Sequence, residues 1–148
     1  MRAGRRLAFD FGTVRIGVAV SDFHGILASP LLTLLADDLQ LRERIAEVLS
    51  EIEPIYIVVG DPKHLSGQVS EKSQSALEFI GVLRTLTQIP IYSVDERLTT
   101  VTALKDLQGS GHNAKAARRK VDAIAAVAIL ESALQQEKLT GKIQGEVV

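Results

Sequence analysis

Four carboxylates sit where a folding chain has reason to avoid them. Asp10 interrupts the apolar run "LAFDF", and Asp95 and Glu96 close the run "IPIYSVDE". Asp122 lies in "RRKVDAIAAVAILESAL", with Ala125 and Ala126 one turn on and Ile129 beyond. An unpaired buried carboxylate is strongly disfavoured. Acids converging from separate elements therefore require a cation, and an oxygen-only donor set suits Mg²⁺ or Mn²⁺. Each acid also has an ordinary reading. Asp10 can pair with Arg15 or an N-terminal arginine, Asp95 can cap the Thr99–Thr100 turn, and Asp122 can neutralise Arg118 or Arg119 one turn back. The three positions together, each beside small or turn residues, favour a metal centre. Alternation alone leaves open whether Asp95 or Glu96 points inward, because adjacent strand residues face opposite ways.

The second chemical feature is "NAKAARRK", in which Lys115, Arg118, Arg119 and Lys120 crowd the start of a helix. The helix dipole disfavours cations there. Several cations in one patch neutralise a polyanion, so phosphate binding is the natural use. The alternative is a solvated helix face. Arg15, Lys63 and Arg97 are further basic candidates near the acids. His24, His64 and His112 have no metal-ligand spacing among themselves; His24 and His112 read as exposed turn residues, and His64 stays open. "DFG" at Asp10–Gly12 matches a kinase triplet, but the catalytic-loop and lysine-strand signatures are missing.

The elements holding these groups follow from periodicity. Leu7, Phe9 and Phe11 alternate with Ala8 and Asp10, which puts Asp10 on the face opposite the bulky residues. A turn at Gly12–Thr13 leads to Ile16, Val18 and Val20 alternating with small residues. "DFHG" turns again into "ILASPLLTL", completing an antiparallel meander. Leu41, Ile45, Val48, Leu49 and Ile52 form a helical stripe capped by Asp37 or Asp38 and stopped by Pro54. "IYIVVG" is a strand buried on both faces. A helix starting near Ser70 turns Ala76, Leu77, Ile80 and Leu83 inward, and "IPIYSVDE" is the next strand. A short helix follows near Thr100 to Leu107, then a long one from Ala114 to about Gln136. The order βββ-α-β-α-β-α-α predicts an α/β fold: a five-stranded mixed sheet flanked by helices.

At 148 residues with 46% hydrophobic content, the chain suits one domain, read here as residues 1–138 with a flexible tail over 139–148. A net charge of −1 leaves nucleic-acid binding to a local basic patch. The absence of cysteine excludes thiolate chemistry and cysteine zinc sites. No apolar signal core or membrane-length run is present, so a cytoplasmic protein is expected.

The blocks "DFGTVRIGVAVSD", "IVVGDPKHLSG", "VDERLTT" and "VDAIAAVAIL" resemble, in order and context, the YqgF (RuvX) family, which is similar to Holliday-junction resolvases of the RuvC type. The resemblance runs from about Leu7 to Leu134. It implies a ribonuclease H-like fold and a metal-dependent nuclease that matures the 16S ribosomal RNA precursor. Carried over by motif, it makes Asp10, Glu96 and Asp122 the catalytic and metal-binding acids, with Glu96 as the acid of "DER". Arg15 and Arg97 match basic positions in the same motifs. One departure is Asp61: the family usually has "GLP" where this chain has "GDP". An extra acid there could add a ligand or repel phosphate. On this view Asp10 bridges two divalent ions about 4 Å apart, and the basic patch holds the strand. The expected partner is precursor rRNA, with branched DNA as the alternative; a resolvase would be a homodimer cutting symmetrically, whereas a trimming nuclease can be a monomer. A phosphotransferase of the actin and sugar-kinase type needs two such domains, and a non-catalytic binding module would need the basic patch but not the acids.

Overall fold

The computed structural model describes residues 2–61, 71–95, 114–143 and 146–147; at 61, 71–73, 95, 114–122 and 146–147 it describes the backbone. The meander consists of β1 (Arg6–Phe11), β2 (Arg15–Ser21) and β3 (Ala28–Leu35), paired antiparallel in sequence order. Gly12 N–H donates to the Arg15 carbonyl at 2.8 Å and closes the first hairpin. In the second turn the Asp22 carboxylate accepts the Ile26 and Leu27 amides at 2.7 and 2.9 Å. Those bonds, Leu27's foremost, hold the Asp22 carboxyl below its ordinary range. The Asp22 carboxylate thus serves the turn. β3 lies at the sheet edge, where Pro30 can lack an N–H without breaking a ladder. A bulge beside it leaves Leu31 between Pro30, paired with Ala19, and Leu32, paired with Val18.

Helix α1 (Leu41–Ile52) begins after an Asp38 turn rather than at a side-chain N-cap. Asp38 accepts the Gln40 amide at 2.8 Å and pairs with Arg44. Glu53, left-handed at φ 49, ends the helix, and Pro54 prevents its resumption. β4 (Tyr56–Asp61) then runs parallel to β1, and β5 (Ile91–Asp95) parallel to β4. Between them lies α2 (Glu71–Leu86). Here one inward residue differs from expectation: Leu77 is 53% exposed, while Phe79 is buried with Ala76, Ile80 and Leu83. Residues 76, 79, 80 and 83 share one stripe of a helix with 3.6 residues per turn, and position 77 lies off it. Phe79 meets Phe9 edge-on and stacks on Phe11, with centroids 5.4 and 5.0 Å away.

Helix α3 spans Ala114–Thr140, about one turn beyond the expected end. Residues Glu146–Val147 form β6, antiparallel to β5, so part of the chain read as a tail extends the sheet. The full strand order is β3-β2-β1-β4-β5-β6, the five expected strands with β6 added at the edge. The short helix expected near Thr100–Leu107 lies outside the described residues.

Alternation divides the sheet into two faces. Leu7, Phe9, Ile16, Val18, Ile57 and Val59 pack with α1 and α2. Ala8, Ala19, Ala28, Tyr56, Val58 and Val94 pack with α3 through Ala126, Ile129, Leu130, Ala133 and Leu134. Ala125, Ala126 and Ile129 are all buried, as the small-residue stripe of that helix predicts. Among the described residues no helix is long and apolar enough to cross a membrane.

Candidate active site at the sheet's carboxyl edge

Asp10 is the next-to-last residue of β1, on the same face as Ala8 and therefore on the α3 side. It is half-buried. Its partner across the hairpin is Gly17, and β4 continues from Val59, the partner of Phe9, to Gly60. Neither flanking glycine has a side chain to fill the space beside the carboxylate. Asp10 is nonetheless in contact with the chain around it. Arg15, also half-buried, opens β2 with the parity of Gly17 and Ala19. The fold thus brings Asp10 and Arg15 to one face and one end of the sheet.

Three parallel strands finish at that edge. β1 carries Asp10 there, β4 ends at Asp61 and β5 at Asp95, with Asp61 and Asp95 in register. Tyr92 and Val94 belong to the α3 face, so Asp95 has the opposite parity; Asp61 likewise shares the parity of Ile57 and Val59. α3 lies across β2, β1 and β3. It carries Asp122 three, four and seven residues ahead of the buried Ala125, Ala126 and Ile129. Lys115, Arg118, Arg119 and Lys120 occupy its first two turns, where the acidic residues that usually open a helix are missing. Glu96, Arg97, Lys63, His64 and His112 lie outside the described residues. His24 is exposed, as expected of a turn residue. Among the described residues no group of three or more potential metal ligands is complete. The expected donors are all carboxylate oxygens, which fit a hard divalent ion, and Asp10 stands half-buried on a small-residue face.

Periodicity did not reveal a polar cluster at the opposite end of the sheet. Glu137 of α3 accepts the Tyr56 hydroxyl at 2.9 Å and pairs with Arg6 at 3.2 Å. Arg6 also donates to the Gly4 and Arg2 carbonyls at 2.6 and 2.7 Å, and its backbone N–H meets Ser21 Oγ at 2.8 Å. Burial, then the bond to Glu137, holds the Tyr56 hydroxyl above its ordinary pKa. The one available signal was an acid on the apolar stripe of α3, four residues after Ala133.

The tight hairpin beside Asp10 yields a direct prediction. A Cβ on Gly12 would stand 2.6 Å from the Arg15 carbonyl oxygen, a backbone atom that cannot swing aside. Gly12→Ala is expected to open the hairpin, destabilise the fold by about 1–3 kcal/mol and impair the site between Asp10 and Arg15. Thr13→Ala, one residue on and exposed, is the control. Urea melts and a cleavage assay on both variants check it; a normal Gly12→Ala protein would show that the turn does not shape the site.

Comparison with known proteins agrees with this fold. A family model described as RuvX, Holliday junction resolvase, matches residues 4–136. A protein of Leifsonia xyli subsp. xyli named "Putative pre-16S rRNA nuclease" is 44% identical over 149 residues, covering 100% of this chain and 96% of its own. One from Streptomyces avermitilis with the same name is 42% identical over 150 residues, again covering 100% and 96%. Among solved structures, T. thermophilus RuvC in complex with a Holliday junction substrate superposes with a TM-score of 0.63 at 12% identity, over 98% of this chain and 99% of that one. A second Thermus thermophilus RuvC structure gives 0.57 at 16%, over 97% and 99%. At those identities the likeness is one of fold, the RuvC-type ribonuclease H-like sheet. The whole-chain identity to these relatives and the match over residues 4–136 show that the chain belongs to the RuvX family.

Proposed function

We propose that this chain is a metal-dependent nuclease that hydrolyses phosphodiester bonds in the 16S ribosomal RNA precursor, in the cytoplasm, as a single nuclease domain. The observation that carries the reading is Asp10: a half-buried carboxylate on a small-residue face, at the edge where three parallel strands end, with Arg15 beside it in the sheet. The names of the whole-chain relatives support the substrate. Asp10, Glu96 and Asp122 would hold two Mg²⁺ or Mn²⁺ ions. When bound, such ions supply an activated water and charge neutralisation at the scissile phosphate. The chain's own part is to hold the acids on one rigid face and the substrate backbone against Arg15, Arg97 and the first turns of α3.

The family description favours a second reading, resolution of branched DNA. Cleavage of precursor rRNA and of a four-way DNA junction, each with and without Mn²⁺, tests both. Metal-dependent trimming of RNA by a monomer supports the first reading. Symmetric paired cuts in the junction by a homodimer support the second. Failure on both substrates with metal present overturns the nuclease assignment.

Substrate binding through Lys115, Arg118, Arg119 and Lys120 has its own test. The double variant Arg118→Ala/Arg119→Ala is expected to bind RNA more weakly with a flatter salt dependence. Each lost phosphate contact should reduce the log–log slope by about 0.7 on single strands and about 0.9 on duplex. An unchanged slope in a fluorescence titration would make the patch a solvated helix face.

A further inference from the structure

We propose that Glu137 is a positioning residue for the cleavage site: its clamp on Arg6 and Tyr56 sets the register of α3 over the sheet, and with it the placement of Asp122 relative to Asp10. This rests on the reading of Asp122 as a site acid.

The α3–sheet contact is rich in small residues. Ala126 and Ala133 share this contact with Ala8, Ala19 and Ala28 of the sheet, while Ile129, Leu130 and Leu134 of the helix and Tyr56, Val58 and Val94 of the sheet supply the bulk. Alanine ridges are shallow, so neighbouring packing registers differ little in van der Waals contact. Hydrogen bonds are more selective, because they fail within a fraction of an ångström and beyond a narrow angle. Glu137 uses both carboxylate oxygens, one on Tyr56 and one on Arg6. These are the first residues of β4 and β1, adjacent parallel strands aligned at that pair. One carboxylate thus ties the helix to two strands in the middle of the sheet. A slip of α3 by one turn would move it about 5.4 Å and break both bonds.

The same helix carries Asp122 about four turns upstream, roughly 22 Å away. α3 is continuous between the two, so a rotation or slide at Glu137 passes to Asp122. Buried polar groups are best attested as specifiers of register of this kind. The cluster lies at the amino ends of β1 and β4, and Asp10 lies near the carboxyl end of β1, so Glu137 acts on the site through the helix and not by contact.

The test compares Glu137→Leu, which removes the clamp, with Glu137→Gln, which keeps an acceptor for Arg6 and can turn its amide to the Tyr56 oxygen. Mn²⁺ affinity is measured by electron paramagnetic resonance, and kcat and KM on RNA below each variant's melting range. Glu137→Leu is expected to bind Mn²⁺ about 10-fold or more weakly and to lose kcat in proportion, with KM for RNA unchanged. Glu137→Gln is expected to melt earlier yet keep the wild-type Mn²⁺ affinity and kcat. A folded Glu137→Leu protein with normal Mn²⁺ affinity overturns the proposal, as does a Glu137→Gln protein as impaired as the leucine variant. If Glu137→Leu does not fold, Tyr56→Phe decides: weaker Mn²⁺ binding supports the clamp and unchanged binding overturns it. Asp122→Asn is run in parallel. Wild-type Mn²⁺ affinity there would sink the reading of Asp122 itself, whereas weakened binding in Asp122→Asn beside normal binding in Glu137→Leu sinks the clamp alone.

Discussion

Asp10→Asn is expected to abolish metal-dependent cleavage while leaving the chain folded and able to bind RNA. The substitution keeps the shape of the side chain and removes its charge, so β1, its glycine neighbours and the α3 face need not move. Loss of a partner outside the ligand set typically costs about 10–100-fold in metal affinity or activity, so loss of a direct anionic ligand should cost more. Glu96→Gln and Asp122→Asn should behave alike but less severely, because Asp10 would serve both ions of a bound pair. The salt-bridge reading predicts the reverse. Asp10 does contact the surrounding chain, so if that contact were its purpose, Asp10→Asn would melt early and still cut. Metal-free thermal melts beside a Mn²⁺ cleavage assay separate the two. RNA affinity, measured in the same variants, should stay with the basic start of α3. A variant that loses binding together with cleavage would place that acid in the substrate contact.

The largest effect on stability is expected at Glu137. Removing one partner of a buried ion pair leaves the other charge desolvated, and the usual cost is about 3–5 kcal/mol. Here the abandoned group is Arg6, which is fully buried and has its guanidinium carbon 5.7 Å from the centre of the Tyr56 ring. Among the described residues Arg6 Nε has no hydrogen-bond partner even in the intact cluster, so there is no slack to absorb a further loss. Glu137→Ala should therefore remove a large part of a stability that is about 5–15 kcal/mol for a typical domain. At about 2–4 °C per kcal/mol for a chain of this size, the melting temperature should fall by roughly 10 °C. Tyr56→Phe removes one hydrogen bond to a charged group and should cost about 1.5–3 kcal/mol. It should also change the alkaline limb. The neutral hydroxyl is favoured in the folded chain, so its contribution is complete below the unfolded tyrosine pKa of about 10 and is lost as pH rises above it. Tyr56→Phe should flatten that decline. Urea titrations at neutral and high pH measure both effects; a Glu137→Ala protein as stable as the parent would show that the cluster adds nothing to the fold.

These two predictions sit at opposite ends of one sheet, and they were not equally visible in the chain. The alternation of Leu7, Phe9 and Phe11 with Ala8 and Asp10 was enough to turn Asp10 away from the main core, and the strand does so. The alanine stripe of the last helix likewise predicted which side of it would be buried. Periods of 2 and 3.6 are properties of the backbone, so they can be read without knowing any partner. Even there a single phase choice failed at Leu77 and Phe79, because what selects the stripe of α2 is the presence of Phe9 and Phe11 on the facing strand. Partners are another matter. That β1 lies between β2 and β4 and that Glu146–Val147 close on β5 are choices of pairing, made by contacts distant in sequence. Arg6 and Glu137 are 131 residues apart, and nothing local marks an arginine at the start of a strand as the companion of a glutamate near the end of a helix. Local sequence determined which way Asp10 faces. Only the packing of α3 across the sheet decided what stands over that face, because a side chain's direction is set by its own backbone and its neighbour by everyone else's.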